Sequence, residues 1–286
     1  MLPNVMKPHI KIAGAFTHYE KIIPVILKHK SVVDFSVYDG INECGWNGGR
    51  INRPVFDNDA HKKAYETLGV GLALAFSNNV IDLNDPVGNE LLERYHSTGN
   101  SIILQNTDLL EYIRKKFPKY ECIFSITGHP GGVLVEPANY YKNLESMYDI
   151  IVPKLEHNMV IEQYAQDVSK YELLINDDCL YNCPLWKKHF DKIAEQNTIG
   201  IKYYDKQHFD NNYKIEECWL PKFDPDLGDQ MAKHRLGFSF GMSLKPEQIK
   251  NRFEIGINRL KISGREMSSE DFNDNFSYLV KTISVI

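Results

Sequence analysis

"IKIAGAFTHYEKIIPVILKHKSVVDFSVY", residues 10–38, holds one complete strand–helix–strand unit. Apolar and β-branched residues fill 10–16 and 32–38, while 18–29 carries its apolar residues at helical spacing. The rhythm continues outward along the chain. Further strands are expected at 71–77, 101–106, 121–127, 148–154, 171–176 and 258–263, which makes eight with the first two. Helices are expected between and after them at 59–68, 86–98, 108–116, 138–146, 159–169, 184–195, 246–256 and 269–283. Alternating strands and helices imply a parallel sheet. No early glycine fingerprint for a dinucleotide accompanies the first unit, so eight repeats favour a (β/α)8 barrel of the TIM type over an open doubly wound sheet. The segment from about 197 to 240, rich in Asn, Asp, Tyr and Pro, departs from the rhythm and reads as an insertion after the seventh strand, over the barrel mouth. The expected organisation is a single barrel domain spanning 1–286.

Composition narrows the function classes. The chain has 286 residues, 43% hydrophobic and 25% charged, which is ordinary for a folded protein with a large core. A net charge of -5, with no Lys/Arg block that would follow a phosphate backbone, gives no support to a nucleic-acid partner. No window approaches the roughly 20 apolar residues of a membrane helix, and no signal peptide is legible, so the expectation is a cytoplasmic protein with no membrane partner. Five cysteines, an odd and sparse set, argue against a disulfide framework.

Barrel enzymes place their chemistry at the carboxyl ends of the strands. Those ends carry Tyr38 and Asp39, Asn78 and Asn79, Asn106 and Asp108, Thr127 and His129, Lys154 and Glu156, Asn176 and Asp177, then Lys261 and Arg265. Turn residues are polar in any protein, so no single one of these is diagnostic. Taken as a ring, Lys154, Lys261 and Arg265 would face one cavity of an otherwise acidic protein, which suggests a small anionic ligand. The run "GHPGG" (128–132) reads as a turn, and Tyr140, Tyr141, Tyr203 and Tyr204 as packing residues.

Cys44, Cys179, Cys183 and Cys218 fall in loops expected on one face of the barrel, while Cys122 begins a strand and is expected in the core. Pro184 suits a first helical turn, which puts Cys183 at the N-cap, where unpaired amides stabilise a thiolate. Four such thiolates suit an iron–sulfur cluster or a structural zinc; small buried hydrophobes are the plain alternative.

The order of strand-end motifs resembles the peptidase U32 family over most of the chain. The motifs are "KIAGAF", "SVYDG" followed by Arg50 in "NGGR", "LAFSN", "LLEYIRKKFP", "IFSIT", "ELLINDDCLYNC" and, most specific, "LKISGREMSSEDF" from Lys261 onward. The resemblance implies a barrel and a 4Fe-4S cluster held by Cys44, Cys179, Cys183 and Cys218. It also implies a redox step such as oxygen-independent hydroxylation of a small polar or anionic substrate. In that reading Lys154, Lys261, Arg265 and Arg50 neutralise the substrate, Glu156 contacts it, and Asp39, Asn78 and Asn176 orient it. The chain departs from the family pattern at Ser263, where a glutamate is usual, at Trp186, where an arginine is usual, and in lacking the arginine- and glycine-rich run between the late cysteines. Two alternatives come from other classes. One is a non-catalytic barrel, stabilised by a cluster or zinc, that binds a protein partner or a second copy of itself. The other is a zinc hydrolase using His129, His157 or His189 with Glu156, His189 being expected to face outward or the barrel seam.

Overall fold

The computed structural model describes residues 7–48, 57–176, 185–202, 244–264 and 269–284. Eight strands form one sheet: β1 (His9–Ala13), β2 (Asp34–Asp39), β3 (Gly71–Phe76), β4 (Ser101–Leu104), β5 (Glu121–Phe124), β6 (Ile150–Ile151), β7 (Glu172–Leu174) and β8 (Arg259–Ile262). Neighbours are parallel throughout, in the order β6-β5-β4-β3-β2-β1-β8-β7. A lone parallel bridge between Ile151 and Tyr171 brings the two ends of the row together, so the sheet is a nearly closed barrel. The α/β fold of the (β/α)8 TIM type expected from the eight repeats is the fold of this chain.

Strict alternation makes the two faces of the sheet distinct, because successive side chains on a strand point to opposite sides. Ile10, Ile12, Phe35, Val37, Leu72, Leu74, Ile102, Leu104, Leu260 and Ile262 pack outward with the helices in the larger core cluster. Ala13, Tyr38, Ala73, Ile103, Ile123, Ile150 and Leu174 point inward and form a second cluster inside the barrel. By the same parity Lys11, Ser36, Glu172 and Lys261 are inward-facing, and all four are buried.

The outer layer contains α1 (Tyr19–His29), α2 (Asp59–Leu68), α3 (Pro86–Tyr95), α4 (Thr107–Lys116), α5 (Pro137–Met147), α6 (Trp186–Lys202), α7 (Pro246–Glu254) and α8 (Ser269–Ile283). Local chemistry sets their ends. Asn58 caps α2 by accepting from the amides of Ala60 and His61, and Gly69, at φ 70°, stops it in the left-handed conformation that glycine adopts without strain. Asn106, expected among the mouth residues, instead caps α4 by accepting from the Leu109 amide at 3.0 Å.

Three expectations need correction. Residues 159–169 form no α-helix; 3-10 turns at Leu155–His157, Ile161–Gln163 and Val168–Lys170 stand there. The Gln166 amide donates to Glu145 Oε1 at 2.9 Å, and Asp167 accepts from the Ser169 amide at 3.0 Å. Side chains have taken the bonds a helix would need. The helix expected to run to 98 ends at Tyr95, where Asn100 takes over by donating to the Tyr95 carbonyl and accepting from the Leu72 amide. The helix expected at 184–195 runs on to Lys202, so the first residues assigned to the insertion are helical.

Candidate functional site at the barrel mouth

The strand ends expected to bind substrate carry several residues that are already committed to the fold. Asp39 has the parity opposite to Tyr38 and turns its carboxylate to the β1–α1 loop. There it accepts from the amides of Phe16 (3.1 Å) and Thr17 (3.4 Å) and from Thr17 Oγ1 (3.4 Å), while its second oxygen accepts from the Gly40 amide (3.0 Å). Asn78 is a three-way brace: its amide nitrogen reaches Gly45 O (3.0 Å) and Thr198 Oγ1 (3.0 Å), and its oxygen accepts from the Val80 amide (3.0 Å). Asn176 and Ser263 bond reciprocally, with the Asn176 amide nitrogen donating to Ser263 O (3.0 Å) and the Ser263 amide donating back to Asn176 Oδ1 (2.8 Å), which fastens the end of β7 to that of β8.

Lys154 lies beyond β6 with its ammonium in an oxygen-lined seat. It pairs with Glu156 at 2.9 Å and donates to the carbonyls of Pro130 (3.3 Å) and Gly132. "GHPGG" is the turn it was read to be, and it aims carbonyl oxygens, not amides, at this lysine. That arrangement suits a cation, and Lys154 supplies it.

The histidines behind this pair are structural. A carbonyl can only accept, so the 2.8 Å contact of His129 Nε2 with Val152 O puts the ring proton on Nε2, and Nδ1 then accepts from Tyr140 Oη at 3.0 Å. Burial drives the His129 pKa down to about 3, keeping the ring neutral. Tyr141 Oη accepts from the Lys154 amide at 3.1 Å and donates to His157 Nδ1 at 2.8 Å. His189 is buried on α6, which excludes the outward of the two orientations expected for it and is compatible with the barrel seam. Among the described residues no group of three or more His, Cys, Asp or Glu side chains is arranged to hold a metal ion.

Cys44 sits fully buried in the outer core, beside the β3–α3 connection that holds Trp46 through its indole donation to Asp82 O at 2.8 Å. Burial first, with a contribution from Asp85, pushes its thiol up to about 12. Cys122 is core, as expected. Cys179, Cys183, Cys218, Arg50 and Arg265 lie outside the described residues.

What remains at the mouth is a smaller constellation. Lys261, one inward position below the level of Tyr38 and Ala13, reaches up so that its ammonium lies 4.4 Å from the centroid of the Tyr38 ring. That is a cation–π contact, in which the ring quadrupole attracts the ammonium. Above it, Trp186 packs into the inner cluster, with Leu185 and Phe190 against it, so the start of α6 roofs the barrel. Asn79 and Asn197 help hold that roof, Asn79 donating to Asp191 Oδ1 (2.9 Å) and Asn197 to Asn47 O (3.2 Å). The indole Nε1 of Trp186 is buried and has no hydrogen-bond partner among the described residues. A buried donor left unbonded is uncommon and points toward an absent acceptor.

Sequence reading missed two interior charges, Lys11 and Glu172. They form an ion pair at 2.9 Å with side chains 1% and 0% exposed. The signal was available: each is a charged residue within an apolar strand run, Lys11 in the middle of β1 and Glu172 at the start of β7, at the parity that points into the barrel.

No protein-family model matches the chain, and neither a curated protein nor a solved structure matches it. The likeness to peptidase U32 proteins therefore rests on the quoted motifs alone. No helix among the described residues is long and apolar enough to cross a membrane.

Proposed function

We propose that this chain is a barrel enzyme that binds a small anionic or polar molecule under the roof formed by Trp186, against Lys261 and the face of Tyr38. One observation carries the reading: a buried lysine ammonium set over an aromatic ring at the carboxyl end of the barrel. The buried indole N–H of Trp186, unpartnered among the described residues, supports it as a second donor within the inner cluster that roofs the site. Lys154 and Glu156 are better assigned to shaping the wall, and Asp39, Asn78 and Asn176 to holding the loops that carry the site.

The test is direct binding. Calorimetric titration with small carboxylates and inorganic phosphate is expected to give saturable binding, weakened roughly tenfold to a hundredfold in Lys261→Met, as for a lost charge-assisted contact. A Lys261→Met protein that binds as the wild type does would overturn the assignment.

The chemical step belongs to the same proposal but draws on the motif resemblance only. In that reading a 4Fe-4S cluster held by Cys44, Cys179, Cys183 and Cys218 would supply redox chemistry such as oxygen-independent hydroxylation. Purification without oxygen, with iron counting and visible absorption, decides between a cluster and a metal-free barrel, and zinc analysis of the same sample covers the alternative metal.

A further inference from the structure

Beyond β5 and β6 the barrel wall holds three phenols, each hydrogen-bonded to a group with basic character. Tyr140 donates to His129 Nδ1 at 3.0 Å, Tyr141 to His157 Nδ1 at 2.8 Å and Tyr171 to Glu145 Oε1 at 2.6 Å. Their rings belong to one cluster. Around Tyr141, itself wholly buried, stand Tyr140, His157, Tyr171, His129 and Tyr164, with centroids 5.4 to 6.2 Å from its own. A buried hydroxyl needs an acceptor in any core, but these three acceptors differ in what they can do with a proton.

All three phenols hold their protons firmly, since burial pushes each well above the usual range. Removing one electron from such a ring reverses this, because the oxidised phenol is strongly acidic and nothing in the wall solvates its charge. The electron leaves only where the proton has a place to go. His129 offers none: it is wholly buried, its Nε2 is committed to Val152 O, and burial holds its pKa at about 3. Glu145 Oε1 is already shared with the Gln166 amide, and among the described residues the Tyr171 ring meets no tyrosine of the cluster but Tyr141. His157 differs. It is half-buried, so an imidazolium there reaches water. Burial lowers its pKa, the Glu156 carboxylate works the other way and Lys154 adds to the lowering, which leaves a neutral ring with Nδ1 ready to accept.

We propose that Tyr141 is a redox-active tyrosine: it gives one electron to a high-potential one-electron oxidant, a free radical or an oxidised transition-metal complex, and its phenolic proton to His157. The O–H bond of Tyr141 breaks and an N–H bond forms at His157 Nδ1. The ring loses one electron and the oxidant gains it, leaving a neutral phenoxyl radical beside an imidazolium that Glu156 favours. Return of the electron and the proton restores the pair. Tyr164, half-buried and within 11° of parallel to Tyr141, gives the oxidising equivalent its passage between this site and the surface. The inference stands apart from the anion-binding reading, since neither Lys261 nor a resident cluster enters it.

The experiment oxidises the full chain by a light flash in the presence of ruthenium tris-bipyridine and persulfate, and follows the radical by electron paramagnetic resonance. Exposed phenols such as Tyr278 also react, but their radicals meet one another and couple, whereas one enclosed at Tyr141 persists. A persistent neutral tyrosyl signal is expected in the wild type, kept in Tyr140→Phe and lost in Tyr141→Phe. His157→Asn, whose Oδ1 accepts the phenol hydrogen bond but holds no proton, is expected to form the radical roughly a hundredfold more slowly, as for the loss of a placed proton acceptor. Melting temperature is measured in parallel, because a merely structural hydrogen bond would move it and leave the radical unchanged. A folded Tyr141→Phe with the wild-type signal, or a folded His157→Asn with the wild-type rate, overturns the inference. If neither variant folds, the wild type decides in heavy water: slower formation of the radical upholds a proton that moves with the electron, and an unchanged rate or the absence of a persistent radical overturns it.

Discussion

The two halves of the barrel interior are built from different materials. From β3 to β6 the central inward positions are apolar, with Ala73, Ile103, Ile123 and Ile150 in contact inside the sheet, and only the strand starts carry the polar Ser101 and Glu121 at that parity. From β7 through β8 to β1 they include Glu172, Lys261 and Lys11, all buried. An apolar interior would serve stability at least as well, because a buried ion pair seldom outperforms well-packed hydrophobic residues of similar volume. The charged half therefore points to work beyond holding the fold. It also depends on its neighbour: the isoleucines of the other half exclude water, and that exclusion makes each interior charge strong and its pairing obligatory.

The largest effect is expected from uncoupling the charged half. Glu172→Leu leaves the Lys11 ammonium buried with no counter-charge, and urea unfolding is expected to show a loss of about 3–5 kcal/mol. Lys11→Met/Glu172→Leu, which removes both charges, is expected to recover to within about 1 kcal/mol of the wild type. A single variant as stable as the wild type would show that water reaches this layer, and the contrast between the halves would dissolve. The apolar half is probed by Ile123→Ala, expected to cost about 3 kcal/mol by the same measurement, since a tight surround cannot close over the lost methyl groups. A cost below about 1 kcal/mol would mean loose packing, and the β3–β6 wall would then not shield the charges opposite.

Much of this was legible in the sequence, and what was not has physical reasons. All eight strands fall on the expected runs, with only His9 and Asp39 one residue outside, because parallel barrel strands are buried on both faces and read as dense apolar segments. "IKIA" also announced Lys11, a cation between two isoleucines of opposite parity, but only ring closure makes that parity mean an enclosed interior. The 159–169 stretch misled because helical spacing says nothing of competitors, and Glu145, distant in the chain, takes the Gln166 amide. At the mouth, residue type failed to separate ligand binders from braces. Asn78 and Asn176 are polar residues at strand ends whichever role they have, and only their partners, Thr198 and Ser263, reveal the role. Cys44 shows the same limit, since a cysteine in a loop gives no sign of whether its sulfur faces a mouth or a core.

The smallest expected effect concerns the one histidine at the edge of the apolar half, and it asks whether that half rejects charge as firmly as the other retains it. His129 is wholly buried, donates to a carbonyl through Nε2 and accepts through Nδ1, so a second proton would break the bond from Tyr140 and place a charge where nothing solvates it. Its folded pKa, about 3, lies below the value of 6.5 expected of an open chain. Between these values the unfolded chain binds a proton that the folded chain refuses, so this contribution is complete above pH 6.5 and is lost as pH falls toward 3. The slope is about 1.4 kcal/mol per pH unit, which amounts to roughly 2 kcal/mol at pH 5. Urea unfolding of the wild type at a series of pH values, compared with His129→Gln, which keeps a donor and an acceptor but cannot titrate, is expected to show this acid loss reduced by one proton's worth in the variant. Parallel slopes for the two proteins would mean that His129 takes up its proton in the folded state, and the apolar half would then tolerate a charge that the present geometry gives it no means to hold.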